Sequence, residues 1–272
     1  MIVTRFAPSP TGHLHLGHAC AAITAYESGD DFLLRIEDID QGRSRDVFIE
    51  AIFFDLKWLG LSWDEPVLRQ SRRMGAYMAA LDKLDALELV YPCFCTRKEI
   101  AEEIARAPEA PQGPDGPLYP GTCRTLDDDM RATRIAAGEP YALRLDAQTA
   151  AQATGPLTFT EHGRVHPVDP NRFGDLVIGR KDMPTSYHLA VVVDDAFQNV
   201  NLVTRGADLL PSVHIQRVLQ TLLGLPAPAY EHHRLVLDDE GRKFSKRDGA
   251  ITLRALRDAG ATPSDIRARI GL

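Results

Sequence analysis

The stretch from Ile2 to Ile36 decides what kind of fold this chain can adopt. Ile2–Phe6 reads as a strand, Pro8-Ser9-Pro10-Thr11-Gly12 as a turn, and Leu16–Ser28 as a helix. Phe32-Leu33-Leu34-Arg35-Ile36 is then a near-continuous apolar run, as expected of a strand buried on both faces of a parallel sheet. The alternation continues. Phe48, Ile52, Leu56 and Leu59 recur at helical spacing between Ser44, an N-cap candidate, and Gly60. A helix is expected over about Met74–Leu89, and Thr96-x-x-Glu99 is a capping box opening another to about Ala107. Residues 108–122 are rich in proline and glycine and read as an irregular loop. Beyond it come a helix at Leu126–Ala137, a strand at Tyr141–Leu145 and a hairpin around His162-Gly163. Strands at Leu176–Ile178, Asn201–Thr204 and Leu235–Leu237 alternate with helices near Tyr187–Val193 and Pro211–Gly224. The pattern predicts an α/β protein with a doubly wound parallel sheet, in four parts. Residues 1–88 and 174–237 form the two halves of the sheet domain, 89–173 an inserted subdomain, and 238–272 a basic loop with a short helical C-terminal segment.

With 272 residues, 44% of them hydrophobic, the chain can bury a substantial core. It opens with no signal-like apolar segment and holds no uncharged apolar run long enough for a membrane span. A cytoplasmic protein with no membrane partner is expected, and we take it to be a monomer. A formal net charge of −7 argues against a general nucleic-acid coat but leaves room for a local basic surface. The four cysteines are expected as thiols or metal ligands rather than disulfides.

Two segments carry the chemistry. In Arg5-Phe6-Ala7-Pro8-Ser9-Pro10-Thr11-Gly12-His13-Leu14-His15-Leu16-Gly17-His18, a strand turns into a helix whose first turn bears imidazoles. A helix N-terminus offers backbone N–H groups and a positive dipole end to phosphate, Gly17 lets an adenine or ribose approach, and His15 and His18 can donate to phosphate oxygens. Lys243-Phe244-Ser245-Lys246-Arg247 is a small cationic loop between turn formers. Arg5, Glu37 and Arg205 all stand at carboxyl ends of expected strands, where open α/β sheets bind ligands. As structure alone they would form an internal ion pair. Cys93-x-Cys95 followed after 23 residues by Tyr119-x-x-x-Cys123 suits a tetrahedral zinc site with one ligand undecided. The alternative is three small buried hydrophobes. Cys20 reads as core, Asp127-Asp128-Asp129 as a helix N-terminal charge cluster, and His232-His233 as strand-edge decoration.

From about Ile2 to Ala250 the chain resembles the class I aminoacyl-tRNA synthetases of the glutamyl/glutaminyl branch, with H-L-G-H for H-I-G-H and K-F-S-K-R for K-M-S-K-S. The resemblance implies ATP-dependent activation of L-glutamate, with Mg2+ accompanying ATP and no general base. ATP would be bound by Pro8, Ser9, Pro10, Thr11, Gly12, His15, Gly17, His18, Lys243, Ser245 and Lys246, with His15, His18 and Lys246 stabilising charge on the phosphates. Glutamate would be bound by Arg5, Phe6, Ala7, Pro8, Ser9, Glu37, Tyr187 and Arg205. Its two carboxylates and one ammonium match two arginines and one glutamate. Conventional glutamyl enzymes read Y-H-x-A-N-V-V-D-D where this chain has Val191 in Tyr187-His188-Leu189-Ala190-Val191-Val192-Val193-Asp194-Asp195. The valine form resembles the branch's truncated paralogues, whose acceptor is queuosine-bearing tRNA(Asp). Their pattern also implies one structural Zn2+ held by Cys93, Cys95, Tyr119 and Cys123, with His162 and His166 as alternatives for the fourth ligand. Three rival readings stay open: a conventional synthetase fragment charging a tRNA 3′ end, another class I-like nucleotidyltransferase, and a non-catalytic tRNA- or zinc-binding regulator.

Overall fold

The computed structural model describes residues 1–106, 111–183, 185–237 and 251–272. Its elements are β1 (Val3–Phe6), α1 (Leu16–Ser28), β2 (Asp31–Ile36), α2 (Asp46–Trp58), β3 (Leu68–Arg69), α3 (Met74–Ala86), β4 (Val90–Cys93), α4 (Arg97–Ala105), β5 (Gln112–Gly113), β6 (Gly116–Pro117), α5 (Asp128–Ala136) and β7 (Ala142–Leu145). They continue with α6 (Ala147–Thr154), β8 (Thr158–Glu161), β9 (Arg164–Pro167), β10 (Val177–Gly179), α7 (Tyr187–Phe197), β11 (Leu202–Gly206), α8 (Ser212–Leu223), β12 (Ala229–His233), α9 (Leu253–Asp258) and α10 (Pro263–Ile270).

Two parallel sets of strands form the body. β1, β2 and β3 pair in parallel, and so do β11, β12 and β8, with β9 antiparallel at the outer edge. The sets meet where Val3 N–H donates to Asn201 Oδ1 at 2.8 Å and Asn201 N–H donates to the Val3 carbonyl at 3.2 Å. All four residues of β1 are buried, as for a strand covered on both faces. One layer packs α1 and α2 with Leu253 and Leu256 of α9 and Ile266 and Ile270 of α10. Another gathers residues of α3, α7 and α8 around Leu189, Val192, Ile215 and Leu219. Each such fully buried side chain contributes about 1.5–3 kcal/mol. The inserted region has its own antiparallel sheet, β10-β7-β4.

Several boundaries differ from the sequence reading. The strand near Leu176–Ile178 exists as β10 but joins the insert's sheet. The hairpin around His162-Gly163 falls within residues 89–173, yet β8 pairs with β12 and extends the parallel sheet. The last strand is Ala229–His233, not Leu235–Leu237. Helix α2 is preceded by Arg45 rather than capped by Ser44, and Asp46 in its first turn complements the dipole. Helix α3 ends at Ala86; Glu88 takes φ 57, and the chain leaves as β4. The Thr96/Glu99 capping box forms as expected, and Asp127 caps α5 through Met130 N–H. Among the described residues no helix is long and apolar enough to cross a membrane.

Candidate functional site: a cation mouth beside a histidine-capped helix

A cavity of about 400 Å³ opens at the carboxyl ends of β1, β2 and β11. Of the eight residues expected to bind glutamate, seven line it: Arg5, Phe6, Ala7, Ser9, Glu37, Tyr187 and Arg205. Pro8 is buried beside them, its carbonyl accepting the Glu37 N–H at 3.1 Å.

The three charged residues are held differently. Arg5 Nε donates to Asp195 Oδ1 at 3.0 Å, and its Nη1 donates to the Thr204 carbonyl at 3.2 Å. Asp195 also accepts from Arg35 Nη2 at 2.7 Å, and Arg35, with 0% side-chain exposure, lies 3.9 Å from Glu37 Oε1. Burial would raise the Asp195 pKa, but Arg5 and Arg35 outweigh it and keep the carboxylate below its usual range. Burial dominates at Glu37: although Arg35 and Arg5 favour its ionised form, its pKa is pushed up to about 7. The ion pair read from sequence as the structural alternative is thus present, with Asp195 rather than Glu37 as its main anion. Glu37 is left with ionisation to share.

Among the described residues, Arg205 is bound along one edge. Its Nε donates to His232 Nε2 at 3.0 Å, whereas Nη1 and Nη2 are buried and make no hydrogen bond among the described residues. Two unsatisfied donors of a planar fork inside a cavity are costly unless a bidentate acceptor arrives. His188, deep behind Tyr187, is pushed down to about 4 by burial and by Arg205, so it is neutral and adds no competing positive charge.

On the neighbouring side, α1 begins with the two imidazoles. His15 Nδ1 accepts the Gly17 N–H and His18 Nδ1 accepts the His15 N–H, both at 3.2 Å. These bonds assign the tautomers, placing the hydrogen of each neutral ring on Nε2, where it can serve a phosphate oxygen. A Cβ on Gly17 would lie 3.1 Å from the His15 ring, so glycine here makes room first for the histidine cap. The turn before α1 is fixed by the Pro10 carbonyl, which accepts the Arg45 N–H at 3.1 Å. Thr252 bridges to His15, and Leu253 N–H donates to the Leu14 carbonyl at 2.8 Å. Lys243, Ser245 and Lys246, expected in the ATP site, lie outside the described residues.

The cysteines also converge. The Sγ atoms of Cys93, Cys95 and Cys123 all lie within 4.8 Å of one another. The Tyr119 hydroxyl sits 3.4 Å from Cys93 Sγ, 3.5 Å from Cys95 Sγ, and 2.9 Å from the Cys123 N–H it accepts. Burial pushes the Cys95 thiol up to about 11 and the Tyr119 phenol higher still, so without a cation both stay protonated. Three soft sulfur donors plus a phenol in one small cluster suit zinc. His162 and His166, the alternative fourth ligands, are on the β8–β9 hairpin instead; one contacts the His232 carbonyl and the other stacks on Phe159.

Other outcomes follow. Cys20 is buried in α1, as expected. Val191 is 2% exposed and packs in the apolar layer of α7 and α8, away from the cavity lining. His232 is no edge decoration: it is buried and holds Arg205. Asp195, Glu161 and His232 are site-shaping residues the sequence reading did not assign. The Asp194-Asp195 pair on an otherwise apolar helix was the available signal, since a buried acid needs a partner.

The profile of the class I tRNA synthetases (E and Q), catalytic domain, matches residues 1–272. A Glutamyl-Q tRNA(Asp) synthetase of Rhodobacter capsulatus is 49% identical, with 100% of both chains covered. One of Nocardia farcinica is 48% identical over 97% of this chain and 82% of its own. The crystal structure of a glutamate-tRNA synthetase from Elizabethkingia anophelis superposes with a TM-score of 0.79 at 28% identity. That match covers 96% of this chain but only 59% of the solved one. The parallel α/β sheet described above is accordingly the class I synthetase fold, and the chain belongs to the class I tRNA synthetases of the E and Q type, a family of ligases.

Proposed function

We propose that this ligase activates L-glutamate with ATP and transfers the glutamyl group to the queuosine base of tRNA(Asp). The observation that carries the reading is the unsatisfied Arg205 fork facing a cavity shared with Arg5 and Glu37. One carboxylate would take Arg205, the other the Arg5 side, and the ammonium Glu37 once that group is ionised. The α-carboxylate, already anionic, attacks the α-phosphorus of ATP; the bond to the bridging oxygen breaks and pyrophosphate leaves with that electron pair. No general base is needed, so the protein's part is positioning and charge stabilisation. His15 and His18 would donate from Nε2 to phosphate oxygens, and Lys246 would meet the charge on the departing pyrophosphate. Mg2+ bound with ATP would neutralise phosphate charge. Cys93, Cys95, Tyr119 and Cys123 would hold one structural Zn2+, stapling the loop after β6 to the end of β4.

The acceptor assignment rests on the names of the two relatives above, both matched over most of their length. A queuosine hydroxyl would attack the glutamyl carbonyl and release AMP, leaving an ester on the base. A splayed anticodon base is the form in which proteins commonly read RNA. The test is transfer of radioactive glutamate to tRNA(Asp) from cells that make queuosine and from cells that cannot. Labelling only of the former, retained after the 3′-terminal adenosine has been removed, is expected. Equal labelling of both, or labelling of glutamate tRNA at its 3′ end, would replace this reading with that of a conventional glutamyl-tRNA synthetase.

A further inference from the structure

The Arg205 fork is held from behind by two side chains that the mechanism above does not use. β11 and β12 pair in parallel with Arg205 opposite His232, and β12 pairs with β8 with Tyr230 opposite Glu161. His232, two residues past Tyr230, lies on the same sheet face, so three adjacent strands bring Arg205, His232 and Glu161 together. Arg205 Nε is a donor, so His232 Nε2 must accept, which puts the ring hydrogen on Nδ1. His232 Nδ1 then donates to Glu161 Oε2 at 2.8 Å. The other Glu161 oxygen accepts the His232 backbone N–H at 2.9 Å, fixing the carboxylate as well. The His232 side chain is 2% exposed and that of Glu161 12%.

We infer that Glu161 and His232 are positioning residues for substrate capture: they tether Arg205 by its Nε edge and thereby present Nη1 and Nη2 end-on to a glutamate carboxylate. An untethered guanidinium can also bind a carboxylate sideways, through Nε and one Nη. Occupying Nε removes that mode and settles the long side chain's rotamer before the ligand arrives, so less freedom is lost on binding. The tether also explains why a histidine stands where an apolar residue would pack as well. This inference rests on the reading of the cavity as a glutamate site.

The experiment is steady-state ATP–pyrophosphate exchange with glutamate for the wild type, His232→Leu, His232→Gln and Glu161→Gln. His232→Leu should raise KM for glutamate about tenfold, the scale of one lost charge-assisted hydrogen bond, with KM for ATP and kcat nearly unmoved. His232→Gln, whose amide offers both an acceptor and a donor, should recover most of the loss. Adding Glu161→Gln to His232→Leu should worsen it little, because both act through one tether. Heteronuclear NMR of the wild-type imidazole nitrogens, needing no turnover, should show a neutral ring protonated at Nδ1. An Nε2-protonated ring, an unshifted KM for glutamate, or parallel rises in both KM values would overturn the inference. A wild type that exchanges with no glutamate dependence would sink the glutamate reading itself, whereas an active wild type with indifferent variants sinks only the tether.

Discussion

Arg5, Glu37 and Arg205 sit on or directly after strands whose register places them, whereas Cys95, Tyr119 and Cys123 sit on irregular chain after β4 and β6. Behind the arginines stand neighbours that satisfy part of each side chain: Asp195 for Arg5, His232 for Arg205. Behind the cysteines stand mainly one another, with Cys95 Sγ and Cys123 Sγ 3.4 Å apart. The first site is shaped by the protein before any ligand arrives. The second gathers donors that would become a rigid centre once a cation supplied the missing charge. A binding site on a sheet inherits its precision from hydrogen-bonded register; one on a loop must import it.

The strongest way to break this contrast is Arg205→Lys. Lysine keeps the charge but loses the fork and the Nε tether, so kcat/KM for glutamate activation should fall by about 10²-fold or more, with melting temperature little changed. A loss below about threefold would show that charge alone suffices and that strand-imposed geometry is not the determinant.

Acidity tests the same mouth more gently. Glu37 could hold an ammonium only when ionised, and its pKa is pushed up to about 7. KM for glutamate should therefore climb about tenfold per unit as pH falls below 7, and Glu37→Gln should flatten that slope while raising KM throughout. Because the folded pKa lies above the ordinary 4.5, Glu37 favours the empty fold below that value and costs stability as pH rises through 7. Glu37→Gln should accordingly melt higher than the wild type above neutral pH. A slope unchanged by the substitution would assign the titration elsewhere.

The smallest effect on activation is expected at the cysteines. Stripping metal with a chelator, or Cys95→Ser, should remove about one zinc per chain and lower the melting temperature by several degrees. Glutamate activation should fall no more than about threefold, since the mouth's register is set by β1, β2, β11 and β12 rather than by the cysteine-bearing loops. A purified protein without metal and with all thiols freely titratable would refute the zinc assignment. Complete loss of activation on chelation would refute the independence of the two sites.

What could be read from sequence follows the same division. Helix α1 and strands β1 and β2 were legible almost to the residue, because turn chemistry and apolar runs agreed there. Helix α6 was not: Ala-Gln-Thr-Ala-Ala-Gln-Ala-Thr holds no large apolar residue, so no helical period shows, although Ala147 and Ala150 are buried. Strand β12 was misplaced because its buried positions include His232, and a buried histidine looks polar until its partners are known. The charged triplet of the mouth was visible at strand ends. Its supports were not, since Glu161 and Asp195 meet Arg205's tether and Arg5 only through long-range folding. Val191, read from sequence as the mark of a paralogue, lies in the core rather than at the cavity.

The bridge between Thr252 and His15, with α9 and α10 packed against α1, has a consequence for how the protein is born. Helix α1, capped by His15, is synthesised more than two hundred positions before the residues of α9 and α10 that cover its apolar flank. Until Ile270 has emerged, that flank has no native cover and is open to chaperones or to wrong partners. Nascent chains stalled before Leu253 should bind an apolar-surface dye and fail to retain ATP, whereas released chains should do neither. The cover of α1 would thus lag α1 itself by more than two hundred residues of synthesis, a timing built into the order of the helices.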